Sequence, residues 1–212
     1  MCIAVKRSLQ WMATLSVLVV SLSTSAADYL WMEPVAGGVQ VKYGTLDGKQ
    51  LPMTEVSGLQ ASQGDTKNLP VQADGKAMKV TTSRSGDVRV VGHRVTPEGT
   101  LVLFQAKEGR NDIKPANDLE LVPTTPNGNT FQLIWKGQKV AIPQAMLTTS
   151  EQGWNRVLRP DANGNVTLST PFPATYVLDL SAKLNGSTTI DGKVYKDVLH
   201  TVSLSFKAGP SH

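Results

Sequence analysis

Apolar and polar residues alternate along this chain in short runs, the period of a strand with one face buried and one face in water. In "FQLIW" Phe131, Leu133 and Trp135 fall on one side. In "TYVLDLSAKL" Tyr176, Leu178, Leu180, Ala182 and Leu184 do so, with Asp179, Ser181 and Lys183 opposite. No stretch sustains helical spacing, and Gly, Pro, Asn and Asp interrupt the runs throughout. The pattern predicts an all-β protein of strands joined by tight turns.

The breaks carry turn chemistry. "TLDGK", "QADGK" and "TIDGK" place Asp-Gly between apolar runs, and "PDANGNV" is expected to close a hairpin between "NRVLR" and "VTLST". The polar, proline-containing segment Lys107 to Asp118 has the composition of a linker or of a long loop within a sandwich. It divides the chain into a signal segment 1–27, an N-terminal β-sandwich region 28–111 and a C-terminal β-sandwich 112–212. Gln50 to Gln72 is polar and Gly-containing, and is expected to be a long loop with at most a short helix.

The N-terminal end changes the picture of location. Lys6 and Arg7 precede the apolar run Leu15 to Leu22, and small residues Ser25 and Ala27 follow at the positions of a cleavage site. This is the three-part pattern of a secretory signal, with an apolar core too short to span a bilayer. Export to the periplasm or beyond is expected, with no membrane span in the mature chain. The only cysteine, Cys2, would leave with the signal, so no disulfide is available and stability must come from a core. Lys6 and Arg7 would leave too, taking the net charge of +4 down to +2, and no run of like charge remains. Nucleic acid is therefore not an expected partner.

Candidate chemistry is sparse. Neither a GxSxG elbow nor an SxxK pair occurs, so no enzyme is read from the residues. Phosphate-cradling glycine motifs are absent too, and no organic cofactor is expected. His200 in "HTVSLSF" is in phase with Val202, Leu204 and Phe206, and His93 in "VVGHRV" is in phase with Val91 and Val95. A histidine in an apolar phase is either a core-edge group bonded to backbone, its commoner use, or a nitrogen ligand for Ni²⁺, Co²⁺, Cu²⁺ or Zn²⁺. Asp28, beside the α-amine that cleavage would create, is a third candidate donor. In "DYLWMEP" Tyr29 or Trp31 is expected to anchor a first strand on the core.

Taken in order, "ADYLWMEP", "VQVKYG", "LELVPTTPN", "LIWKGQKVAIPQAMLTT", "GWNRVLRPDANGNVTLSTPFPATYVLDL" and "YKDVLHTVSLSF" resemble the periplasmic NikM-like family, domain-of-unknown-function proteins associated with nickel or cobalt uptake. The resemblance implies immunoglobulin-like or transthyretin-like sandwich units, two of them here. It also implies a binding or accessory role in divalent transition-metal uptake, with the metal ion or an envelope transport component as partner. Family members often carry a histidine where this chain has Asp28, and a glycine where it has Ala174. With Asp28, His93 and His200 as metal donors, the alternative is a structural or protein-interaction sandwich of the cell envelope that meets its partner through open strand edges or the Gln50 to Gln72 segment.

Overall fold

The computed structural model describes residues 28–209, apart from Arg84, Pro143, Gln152 and Asn185. The signal segment 1–27, with Cys2, lies outside the described residues, as does His212. The protein is all-β. Among the described residues its only helical element is a 3-10 turn at Met53–Glu55, and no helix is long and apolar enough to cross a membrane.

In chain order, β1 (Tyr29–Val35), β2 (Gly38–Gly44) and the short β3 (Gln50–Leu51) form an antiparallel meander. Then come β4 (Ser57–Gln63), β5 (Thr66–Lys67), β6 (Val71–Asp74) and β7 (Ala77–Thr81), followed by the long hairpin β8 (Val88–Val95) and β9 (Leu101–Glu108). The second half runs β10 (Leu119–Pro123), β11 (Thr130–Trp135), β12 (Gln138–Val140), β13 (Ala145–Thr149), β14 (Asn155–Leu158) and β15 (Val166–Thr167). It ends with β16 (Ala174–Lys183), the hairpin β17 (Thr188–Ile190) and β18 (Lys193–Tyr195), and β19 (Val198–Ala208).

One sheet runs through both halves, in the order β14-β13-β16-β19-β9-β8-β4-β5, and its seam is the parallel pairing of β19 with β9. A sheet of β1, β2, β3, β6 and β7 packs on one face of this central sheet, and a sheet of β10, β11, β12 and β15 packs on the other. Two cores result. Leu30, Met32, Val41 and Tyr43 meet Val90 and Phe104 in the first. Leu121, Phe131 and Leu133 meet Leu178, Val202 and Leu204 in the second.

This arrangement corrects four expectations. The segment Lys107 to Asp118 is no spacer, because its first two residues lie in β9 and the rest is pinned by buried charges. Gln50 to Gln72 is largely strand, with β4 and β5 forming one end of the central sheet. "DANGN" is a tight turn, with Asp161 accepting from the Asn163 and Asn165 amides, but it leads from β14 in the central sheet to β15 in another. The polar face of β16 is wet only towards its end: Asp179 is 8% exposed beneath β1, Ser181 is half-buried and Lys183 is exposed. Tyr29 and Trp31, both buried, pack against Val177 on that same face. "TLDGK", "QADGK" and "TIDGK" close the hairpins β2–β3, β6–β7 and β17–β18.

Candidate functional site

Cross-strand partners point to the same side of a sheet, so register fixes which side chains share a surface. His93 pairs with Leu103, and Leu103 pairs with His200, which places the two histidines in one row across β8, β9 and β19. The next row is Gln60, Val91, Gln105, Val202 and Leu180, and the one after it Ser62, Arg89, Lys107, Leu204 and Leu178. The β16 and β19 ends of these rows lie in the second core, while the β4 and β8 ends face a cleft of about 670 Å³. His93 and His200 both line it. The volume falls within the roughly 300–1,000 Å³ of small-molecule sites. Residues Ala116, Asn117 and Asp118 wall the cleft on one side, and the β17–β18 hairpin, through Thr189 and Asp191, on another.

His200 stands where the core gives way to the cleft. It is 5% exposed, and its ring meets Trp135 edge-on at 4.8 Å. Gln105 Oε1 accepts from the Leu119 amide, so its Nε2 is turned towards His200 Nδ1 at 3.4 Å. An amide nitrogen donates, so this network assigns Nδ1 as acceptor and places the ring proton on Nε2. Burial holds His200 down to about 4, with Asp118 opposing and Lys136 assisting, so the ring is neutral at pH 7. The expected apolar phase of His200 is found here.

His93 differs from its expectation. In "VRVVGHRV" both faces carry valines, and the set that enters the core is Val88 and Val90. His93 therefore belongs to the cleft side and is half-buried. The register of β4 shifts between Ser57 and Gln60, and Gly58 at φ +63° sits directly beneath the imidazole. A Cβ there would lie 2.7 Å from His93 Cε1, so a glycine bulge makes room for this ring.

Asp28 does not join the histidines. It acts on Tyr43, which lies in the first core beside Arg94, on the opposite face of the central sheet. Among the described residues no group of three His, Cys, Asp or Glu side chains could hold a metal ion. The cleft thus offers two imidazoles and, in Asp118 and Asp191, two lining carboxylates, which are not gathered into a ligand set.

Reading the residues alone missed the charged floor beside the cleft. Arg89 is 3% exposed, and Glu120 and Lys107 are each 1% exposed. Arg89 donates to both Glu120 oxygens and to Asp112 Oδ2 at 2.9 Å, while Lys107 lies 3.0 Å from Asp87 Oδ2. Asp87 also accepts from the Asn111 and Asp112 amides, and Glu120 from the Ala116 and Asn117 amides. The cleft wall is therefore tied to the sheet by four buried charges. In the sequence these residues look like an ordinary interspersed surface.

No protein-family model matches this chain, and no curated protein does. The resemblance to the NikM-like family has no support from these comparisons, and the site stands on its own geometry.

Proposed function

We propose that this chain is an exported binding or accessory protein for a divalent transition metal, Ni²⁺, Co²⁺, Cu²⁺ or Zn²⁺, with His93 and His200 as its nitrogen donors. One observation carries the reading: two histidines distant in sequence stand in one row of one face and line one cleft. Neutral imidazole is the ligating form, and burial keeps His200 neutral; with Nδ1 accepting from Gln105 and the proton on Nε2, ligation through Nε2 requires that contact to break and the proton to move to Nδ1. Export draws on the signal pattern of residues 1–27, and handover to an envelope transport component draws on the family resemblance, as do immunoglobulin-like or transthyretin-like units.

Trp135 reports on the site because its ring touches His200. Titration with Ni²⁺, Co²⁺ or Cu²⁺, added as chloride, is expected to quench tryptophan emission saturably, and His93→Ala to abolish the effect. Absence of saturable quenching by all three ions would contradict the reading.

A second reading, an envelope interaction sandwich, draws on the open edges of the central sheet: β5 at one end and β14 at the other, where Val157 is 51% exposed. It requires a crosslinked partner at β14 that Val157→Pro removes, and no metal-dependent quenching.

A further inference from the structure

Among the buried charges of the floor, one pair can do chemistry that the others cannot. Lys107, on β9, and Asp87, one residue ahead of β8, are 1% and 3% exposed, and Lys107 Nζ lies 3.0 Å from Asp87 Oδ2. The Arg89 guanidinium stays protonated, whereas a lysine that gives up a proton becomes a nucleophile. The same Nζ donates to the Asp112 carbonyl at 2.8 Å and lies 3.5 Å from Glu120 Oε1, so the amine is held from three sides.

The Asp87 carboxyl is held as closely. Oδ1 accepts from the Asn111 amide at 3.0 Å, and Oδ2 from the Asp112 amide at 2.8 Å. Gly109, at φ +100°, is the backbone position that admits it: a Cβ there would lie 2.3 Å from Asp87 Oδ1 and 2.9 Å from its Cγ. Backbone N–H groups aimed at carboxyl oxygens stabilise the negative charge that builds there when the carbon is attacked. A nucleophile fixed in contact with its target gains an effective concentration of about 10⁵ M or more. Joining the two groups also removes two charges from the interior, where each is costly to keep, and leaves a neutral amide.

We infer that Lys107 and Asp87 condense to an intramolecular isopeptide bond, a covalent staple across the open end of the β8–β9 hairpin. From the ion pair, Nζ passes one proton to Oδ2 and attacks Cγ as the free amine. The Cγ–Oδ2 bond then breaks, and Oδ1 becomes the amide carbonyl on the Asn111 N–H. A second proton leaves Nζ by way of Glu120, the other carboxylate beside it, and goes out with the departing oxygen as water. One ammonium and one carboxylate thus give one amide and one water, with no oxidant or other reactant. The chain has a single cysteine, so no disulfide within it could serve in place of this bond. The bond stands apart from the metal reading of the cleft.

Mass spectrometry of the intact folded protein and of its tryptic peptides tests it. The protein is expected to be lighter by one water than its chain, and residues 85–89 to be recovered joined to residues 95–110, because trypsin does not cut after an acylated lysine. Lys107→Arg keeps a cation in the network and is expected to restore the full mass and to release residues 85–89 alone. A native protein of full mass, with residues 85–89 and 95–107 released separately, would overturn the inference. So would a loss of water that persists in Lys107→Arg, which would place the lost water elsewhere, as in a succinimide at an Asp-Gly turn.

Discussion

Glu120 is the residue on which the cleft wall depends most. Its two oxygens neutralise Arg89, lie 3.5 Å from Lys107 at the nearer oxygen, and accept from the amides of Ala116 and Asn117. Removing one partner of a buried charge network leaves the others uncompensated, at a cost of about 3–5 kcal/mol. Denaturant unfolding of Glu120→Ala should show a loss of that size, and a loss under about 1 kcal/mol would mean the network is solvated. Gly58 makes a different prediction. Alanine there meets the His93 ring and a backbone at φ +63°, so Gly58→Ala should displace the imidazole with little effect on either core and, on the proposed metal reading, reduce the quenching of Trp135 by added ion. Unchanged chemical shifts for the His93 ring in that variant would contradict the packing described. Neither residue was legible as part of the cleft's framework: Glu120 sits in a run that reads as solvated surface, and Gly58 reads as one more loop glycine.

At the scale of elements, β1 shows why alternation misled. The serines of β19 look like the wet face of an exposed strand, yet Ser203 and Ser205 are buried. Ser203 Oγ donates to the Leu30 carbonyl, and Ser205 Oγ accepts from the Met32 amide at 3.1 Å. The hydroxyls thereby satisfy backbone groups along the edge of β1 not paired with β2. Ser203→Ala with Ser205→Ala should cost about 1–3 kcal/mol for each group left unpaired and should accelerate exchange of the Met32 amide. Unaltered protection of Met32 would show that β1 is held by its apolar contacts alone. For β8, the sequence could not tell which of two valine-bearing faces enters the core. Tertiary context decided it by placing the first sheet over Val88 and Val90.

Across the whole molecule, the β class, most of the second core and three of the four turns were readable because each depends on local pattern. The continuous central sheet was not, since its seam joins β9 to β19 across the whole second half of the chain, and parallel pairing at such separation leaves no local signal. The joining of two cores on one sheet also fixes a pH response. Burial raises Asp179 to about 8, with Asp47 adding to it, and Asp179 Oδ1 has no hydrogen-bond partner among the described residues. Burial likewise raises Glu108 to about 7. Both bind more protons folded than unfolded, so their contribution is complete below the ordinary carboxylate range and is lost as pH rises through 7 and 8. His200 runs the other way: it is neutral when folded, so stability falls as pH drops from about 6.5 towards 4. Between pH 6.5 and 8 only the carboxyls act, and denaturant midpoints should decline over that range in the native sequence and decline less in Asp179→Asn. A decline of the same size in the variant would remove Asp179 as a cause. The most direct test of the site itself is pulsed electron paramagnetic resonance of the Cu²⁺-loaded protein, with the ion supplied as chloride. Nuclear modulation from the remote nitrogens of two imidazoles, reduced to one in His93→Ala, is the predicted result. A spectrum without imidazole modulation, or one unchanged by His93→Ala, would contradict the assignment of the His93–His200 cleft as a metal site.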